Sequence, residues 1–189
     1  MDIITPLDPN EVTVYHEVGH AVMARLFGRK VHQINFVLNV DGTYNGYTHW
    51  GLDELILDWE PNFPYHELGL KQAESKNGVA LVIVAGKAAE RIWYRKRKLD
   101  ETLANFGLSD SNFNDEHELE HELLYLYPNI MQEELSQAKH ITENLAMRLL
   151  ESKVCWQAIE TVSQVLLARL RQAHTLSNDV QQIVANVFE

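Results

Sequence analysis

Cysteine is almost absent: Cys155 stands alone in a chain of 189 residues. An intramolecular disulfide and a cysteine-rich metal centre are therefore both excluded, and a reducing compartment is expected. Basic residues are scarce as well, 16 Lys and Arg against 27 Asp and Glu, for a formal net charge of −11. Such a surface has little to offer a phosphate backbone, so no nucleic-acid partner is expected. The one basic cluster, Arg91 to Lys98, reads as the positive C-terminal turn of a helix. Long apolar runs are missing too. The longest, Val79 to Gly86, falls far short of the ~20 residues that a membrane span needs. The opening stretch MDIITPLDPN has neither the basic nor the apolar region of a signal peptide. A cytoplasmic protein without a transmembrane segment is the expectation.

What is present is enough apolar sequence, 46%, to fill a real core. The length suits a single domain over 1–189, with a motif helix, a β element and central helices in 1–127 and a helical part in 128–189. Asp8 can cap a first helix of roughly twenty residues, in which Pro9 suits the first position, Glu11 suits a capping box and Gly28 suits the stop. Strand-like Val31, Ile34, Phe36 and Leu38, an Asp41-Gly42 turn and β-rich Tyr44 to Trp50 predict a hairpin or two short strands. A central helix is expected from Gly69 to about Lys98, then a loop over Leu99 to Asn114. A charged helix follows, ending before Pro128, and three more helices are expected over Gln132–Glu151, Cys155–Ala173 and Asn178–Phe188. The fold class is mainly α, with a small β-hairpin after the first helix.

Three stretches compete for chemistry. In TVYHEVGHAVMARLFG, Thr13 to Gly28, His16 and His20 are four apart and Glu17 follows the first. On a helix that spacing puts both imidazoles on one face, where they can share a zinc ion at ~2.0–2.1 Å each. The glutamate then lies beside the ion as a general base. The flanks support this: no charge but Glu17 lies between Val12 and Arg25, as a dry cavity and neutral histidines require. Gly19, between the histidines, costs a helix ~1 kcal/mol relative to Ala, so close packing or a substrate backbone is expected there. In HELEH, His117 to His121, acids surround both histidines and the stretch reads as a solvated face. In YHELGL, Leu70 replaces the second histidine, and His66 reads as a loop or helix-start residue.

TVYHEVGHAVMARLFG resembles the motif helix of the FtsH-type (M41-like) zinc metallopeptidases, a pattern similar to Y-H-E-A-G-H-A. VHQINF followed by NGYTHW resembles that family's strand pair, VIVAGKAAERI its A-G-R-A-A-E-E helix, and WQAIETVSQVLLARLRQAHTLSNDVQQI its closing helices. The resemblance covers most of the chain and implies a helical zincin-like metallopeptidase domain. It implies peptide-bond hydrolysis on Zn²⁺, with Glu17 as catalytic base, His16 and His20 as metal ligands and an aspartate as the third. The stretch that corresponds to the family's third-ligand segment, FGLSDSNFNDEHEL, departs from the pattern. Asp110 is preferred there on its interval from Gly107; Asp115 is the alternative, with Leu119, Leu123 and Leu126 after it at helical intervals. The resemblance stops at the peptidase part, because no G-x-x-x-x-G-K-[ST] phosphate loop occurs. ATP-independent cleavage of a peptide or unfolded protein is what this implies for the chain alone, with self-association or a separate ATPase partner left open. A strand over Val31 to Phe36 could take an extended peptide at its edge. The alternative is a binding or regulatory protein on a peptidase fold, lacking turnover.

Overall fold

The computed structural model describes residues 8–55, 75–100 and 111–172. It is mainly helical with one two-stranded antiparallel hairpin. In chain order the elements are α1 (Pro9–Leu26), β1 (Arg29–Leu38), β2 (Tyr44–Leu55), α2 (Ser75–Lys96), α3 (Ser111–Leu126), α4 (Gln132–Leu150) and α5 (Lys153–Gln172). Residues 56–74 and the proposed last helix, Asn178–Phe188, lie outside the described residues, and so does His66 with its YHELGL neighbours.

Helix α1 begins as its sequence dictates. Asp8 accepts a hydrogen bond at Oδ1 from the Asn10 N–H, 3.0 Å away, and Pro9 takes the first helical position. Glu11 does not complete a capping box. Its carboxylate instead pairs with Arg97 and accepts from Trp93 Nε1, tying the start of α1 to the end of α2. Gly28, at φ 69°, turns the chain out of α1 and into β1. Every residue of α1 from Val12 to Ala24 is buried. A helix apolar on all sides must be covered on all sides, and α1 is: α2, α5 and both strands pack against it.

Gly19 explains how closely α2 approaches. A Cβ at that position would stand 2.6 Å from both the Ala85 carbonyl oxygen and the Ala89 Cβ. The close packing expected there comes from α2. Helix α2 ends at Lys96, and Lys98 follows at φ 57°. Its basic C-terminal stretch is spent on acids of other elements: Arg91 pairs with Glu143 of α4 at 2.6 Å, and Arg95 with Glu151.

The strands run longer than the sequence suggests. Asp41 and Gly42 form the turn; Gly42 sits at φ 86°, and Asp41 Oδ1 accepts from the Thr43 N–H at 3.0 Å. The register sets Ile34 opposite Thr48 and Phe36 opposite Gly46. Ile34 and Thr48 are both buried, and the sheet packs on α1.

Helix α3 starts earlier than expected: Ser111 to Asn114, assigned to a loop from sequence, form its first turn. Leu119 and Leu123 are buried, and they set its inward face toward α2. Ion pairs Lys87–Glu116 at 2.8 Å and Lys139–Glu120 at 2.5 Å brace its flanks against α2 and α4. Among the described residues no helix is long and apolar enough to cross a membrane.

Gly19→Ala sets an intrinsic helix gain of ~1 kcal/mol against forcing α1 and α2 apart, which typically costs ~1–3 kcal/mol. The obstructing Ala85 oxygen is backbone and cannot swing aside, so the second term wins. We expect the variant to lose about 1 kcal/mol or more in chemical denaturation; a variant as stable as the parent would refute the packing argument.

Candidate metal centre

His16 and His20 point from α1 toward α2 and α3, and both are buried. Their rings stand edge to face with centroids 4.7 Å apart, and the two Nε2 atoms are 3.0 Å apart. Asp115 Oδ2, from α3, lies 3.1 Å from His16 Nε2 and 3.2 Å from His20 Nε2. Among the described residues, these three are the group of histidine and acid side chains whose ligand atoms could hold a metal ion.

The opposite ring nitrogens fix the tautomers. His20 Nδ1 is 2.7 Å from the Val82 carbonyl oxygen. A carbonyl only accepts, so Nδ1 donates and neutral His20 keeps its lone pair on Nε2. His16 Nδ1 lies 2.6 Å from Glu90 Oε1, a fully buried carboxylate on α2. Its Nδ1–H donates in the same way. Three acceptors, two imidazole lone pairs and a carboxylate oxygen, therefore face one point. Such an arrangement is repulsive unless a cation or protons occupy it.

The electrostatics of the three groups make the same demand for positive charge. Burial alone would lower the His16 pKa, but the Asp115 and Glu90 carboxylates against its two ring nitrogens outweigh it and raise His16 well above its ordinary value. His20 is likewise raised, with burial opposing and the Asp115 charge prevailing. Burial would raise the Asp115 pKa, but the two imidazoles hold its carboxyl well below the usual carboxylate range. A metal ion would supply the same positive charge and displace the protons.

Helix α2 is shaped around the imidazoles. A Cβ at Gly86 would stand 2.4 Å from His20 Nε2 and 2.5 Å from His16 Nε2. Glycine leaves this space free, and the donor atoms converge beside it. The vacancy, the buried Asp115 oxygen with no hydrogen-bond donor and the N,N,O donor set all fit a divalent cation.

Glu17 is buried beside the triad, and its carboxylate Oε2 lies 2.6 Å from Thr48 Oγ1 on β2. It lines a cleft of about 350 Å³ together with His20, Gly46, Thr48, Asp115 and Glu118. The strand that walls this cleft is β2, which contributes Asn45 to Thr48 and Trp50. The strand proposed from sequence to take a peptide, Val31 to Phe36 in β1, is not among the cleft's lining residues. β2 stands between, because the hairpin lays it over Glu17.

Asp110, preferred from sequence as the third ligand, lies outside the described residues. Asp115, the alternative, is the carboxylate placed against His16 and His20. Its spacing of four and eight residues to buried Leu119 and Leu123 puts it on the inward face of α3. His117 and His121 are exposed on α3, and neither joins the triad. Glu116 is exposed and pairs with Lys87. Sequence reasoning missed Glu90, Gly86, Thr48 and Gly46. The signal for Glu90 and Gly86 was a glycine four residues before the one acid of the helix. No family model, curated protein or solved structure matches the chain.

Glu90 orients His16 and adds negative charge behind it, and such partners typically carry 10- to 100-fold in metal affinity. Glu90→Gln should weaken zinc binding by roughly that factor in competition titrations. Gly86→Ala, which fills the vacancy, should abolish stoichiometric metal binding by elemental analysis. Wild-type metal affinity in both variants would mean that α2 does not shape a metal site.

Proposed function

We propose that the chain is a zinc-dependent metallopeptidase of the FtsH type that cleaves peptides or unfolded protein without ATP. One observation carries this reading: two imidazole Nε2 atoms and a carboxylate oxygen face one another within about 3 Å, on the wall of a cleft that also presents a buried glutamate. His16, His20 and Asp115 would hold the ion. Three protein ligands leave a position open, the pattern of catalytic rather than structural zinc. When bound, the ion supplies Lewis acidity to the scissile carbonyl and to the attacking water.

The chain's own residues do the rest. Glu17 takes a proton from the attacking water and passes it to the departing amine. Its burial excludes bulk water from the exchange. Glu90 and the Val82 carbonyl keep both imidazoles in the tautomer that presents Nε2. An extended peptide would lie along β2, pairing backbone to backbone within reach of Glu17. Trp50 and Ile83 offer apolar lining for its side chains.

Incubation with unfolded casein, with and without a chelator, tests the activity. Cleavage lost on chelation and restored by zinc is the expected result. Glu17→Gln should retain wild-type zinc content while kcat falls by ~10²–10⁴, the usual contribution of a general acid–base group. Absence of cleavage by zinc-loaded protein would favour a binding role for the same cleft, and full turnover in Glu17→Gln would remove Glu17 as the base.

A further inference from the structure

The groups around Glu17 come from β2, and they do more than line the cleft. Thr48 is buried, and its one hydroxyl proton lies within reach of two acceptors on the same residue. Oγ1 is 2.9 Å from the Glu17 backbone oxygen and 2.6 Å from Glu17 Oε2. The carboxylate oxygen is the nearer of the two. Two residues earlier on the same face of the strand, Gly46 leaves the space that the rest of the side chain occupies. A Cβ there would stand 2.3 Å from Glu17 Cγ and 2.7 Å from Oε1. One carboxylate oxygen is thus held by a hydroxyl and the other is bounded by bare backbone. Residues 46 and 48 share a face because side chains alternate along a strand, and the register opposite Phe36 and Ile34 fixes both at once.

We propose that Thr48 and Gly46 are positioning residues that fix the Glu17 carboxylate from strand β2, one by a hydrogen bond and the other by absence of a side chain. The inference rests on the reading of Glu17 as the general base. It makes β2 a two-sided element, a wall for substrate on its cleft side and a jig for the base beneath.

Three variants separate the contributions. Thr48→Val keeps the shape and a strand-forming residue but removes the hydroxyl. Thr48→Ser keeps the hydroxyl. Gly46→Ala leaves the hydroxyl in place and displaces the carboxylate sterically; the carboxylate ends a flexible side chain, so it can yield without unfolding the strand. Misplacing a reacting group by ~1 Å can cost ~10²-fold in rate. We therefore expect Thr48→Val and Gly46→Ala to lose ~10- to 100-fold in kcat on unfolded casein. The loss should fall more on kcat than on KM, because Glu17 acts in the chemical step. Zinc content should equal wild type, and Thr48→Ser should recover most of the rate. Crystal structures of the wild type and the two impaired variants read the Glu17 position directly, with or without turnover. A shifted carboxylate is expected in both variants. An unmoved carboxylate in both, or a wild-type kcat in both, overturns the proposal. If the wild-type protein cleaves nothing, the peptidase reading fails while the crystallographic comparison still decides whether β2 fixes Glu17.

Discussion

Two imidazoles buried side by side on one helix must each satisfy two ring nitrogens, and the architecture follows from how that is done. One nitrogen of each ring is engaged by α2, through the Glu90 carboxylate and the Val82 carbonyl. That engagement is possible only because α1 and α2 touch backbone to backbone. Gly19 on α1 meets Ala85 and Ala89, and Gly86 on α2 meets the imidazoles. Larger residues at either glycine would push α2 outward, lengthen both Nδ1 contacts and release the rings. Close packing and donor geometry are here one constraint.

The electrostatics are unusual for a core. Glu17 and Glu90 are buried, Asp115 is nearly so, and the protein as a whole is strongly acidic. Buried charges persist only when paired or coordinated. Glu90 is paired with His16, and Glu17 is hydrogen-bonded by Thr48. Among the described residues, Asp115 Oδ2 faces the two Nε2 atoms, which in their neutral form offer it no proton. The raised histidine and lowered aspartate pKa values express that imbalance. It is the imbalance that a divalent ion would remove.

The surrounding elements place the groups that the first helix cannot supply. Leu119 and Leu123 fix the rotation of α3 and so carry Asp115 inward, while the ion pairs to Lys87 and Lys139 hold the helix from outside. The hairpin folds β2 across Glu17 because Ile34 and Thr48 are both buried against α1. The cleft lies between β2 and α3, with Glu17, His20 and Asp115 on its wall. Four elements, α1, α2, β2 and α3, contribute lining residues, and none could define the cleft alone.

The sequence by itself determined the motif helix, its cap at Asp8, its exit at Gly28, the hairpin turn and the mainly helical class, because those depend on neighbours within a few residues. It also singled out His16, Glu17 and His20, since i and i+4 share a helix face wherever the helix sits. It preferred Asp110 to Asp115 as the third ligand, whereas the placement of Asp115 against the histidines depends on where α3 begins and how its leucines meet α2. Glu90, Gly86, Gly46 and Thr48 were equally out of reach: each matters through a partner 29 to 74 residues away. Local periodicity is written in the chain, whereas contacts across that separation exist only once packing has set the distance between elements.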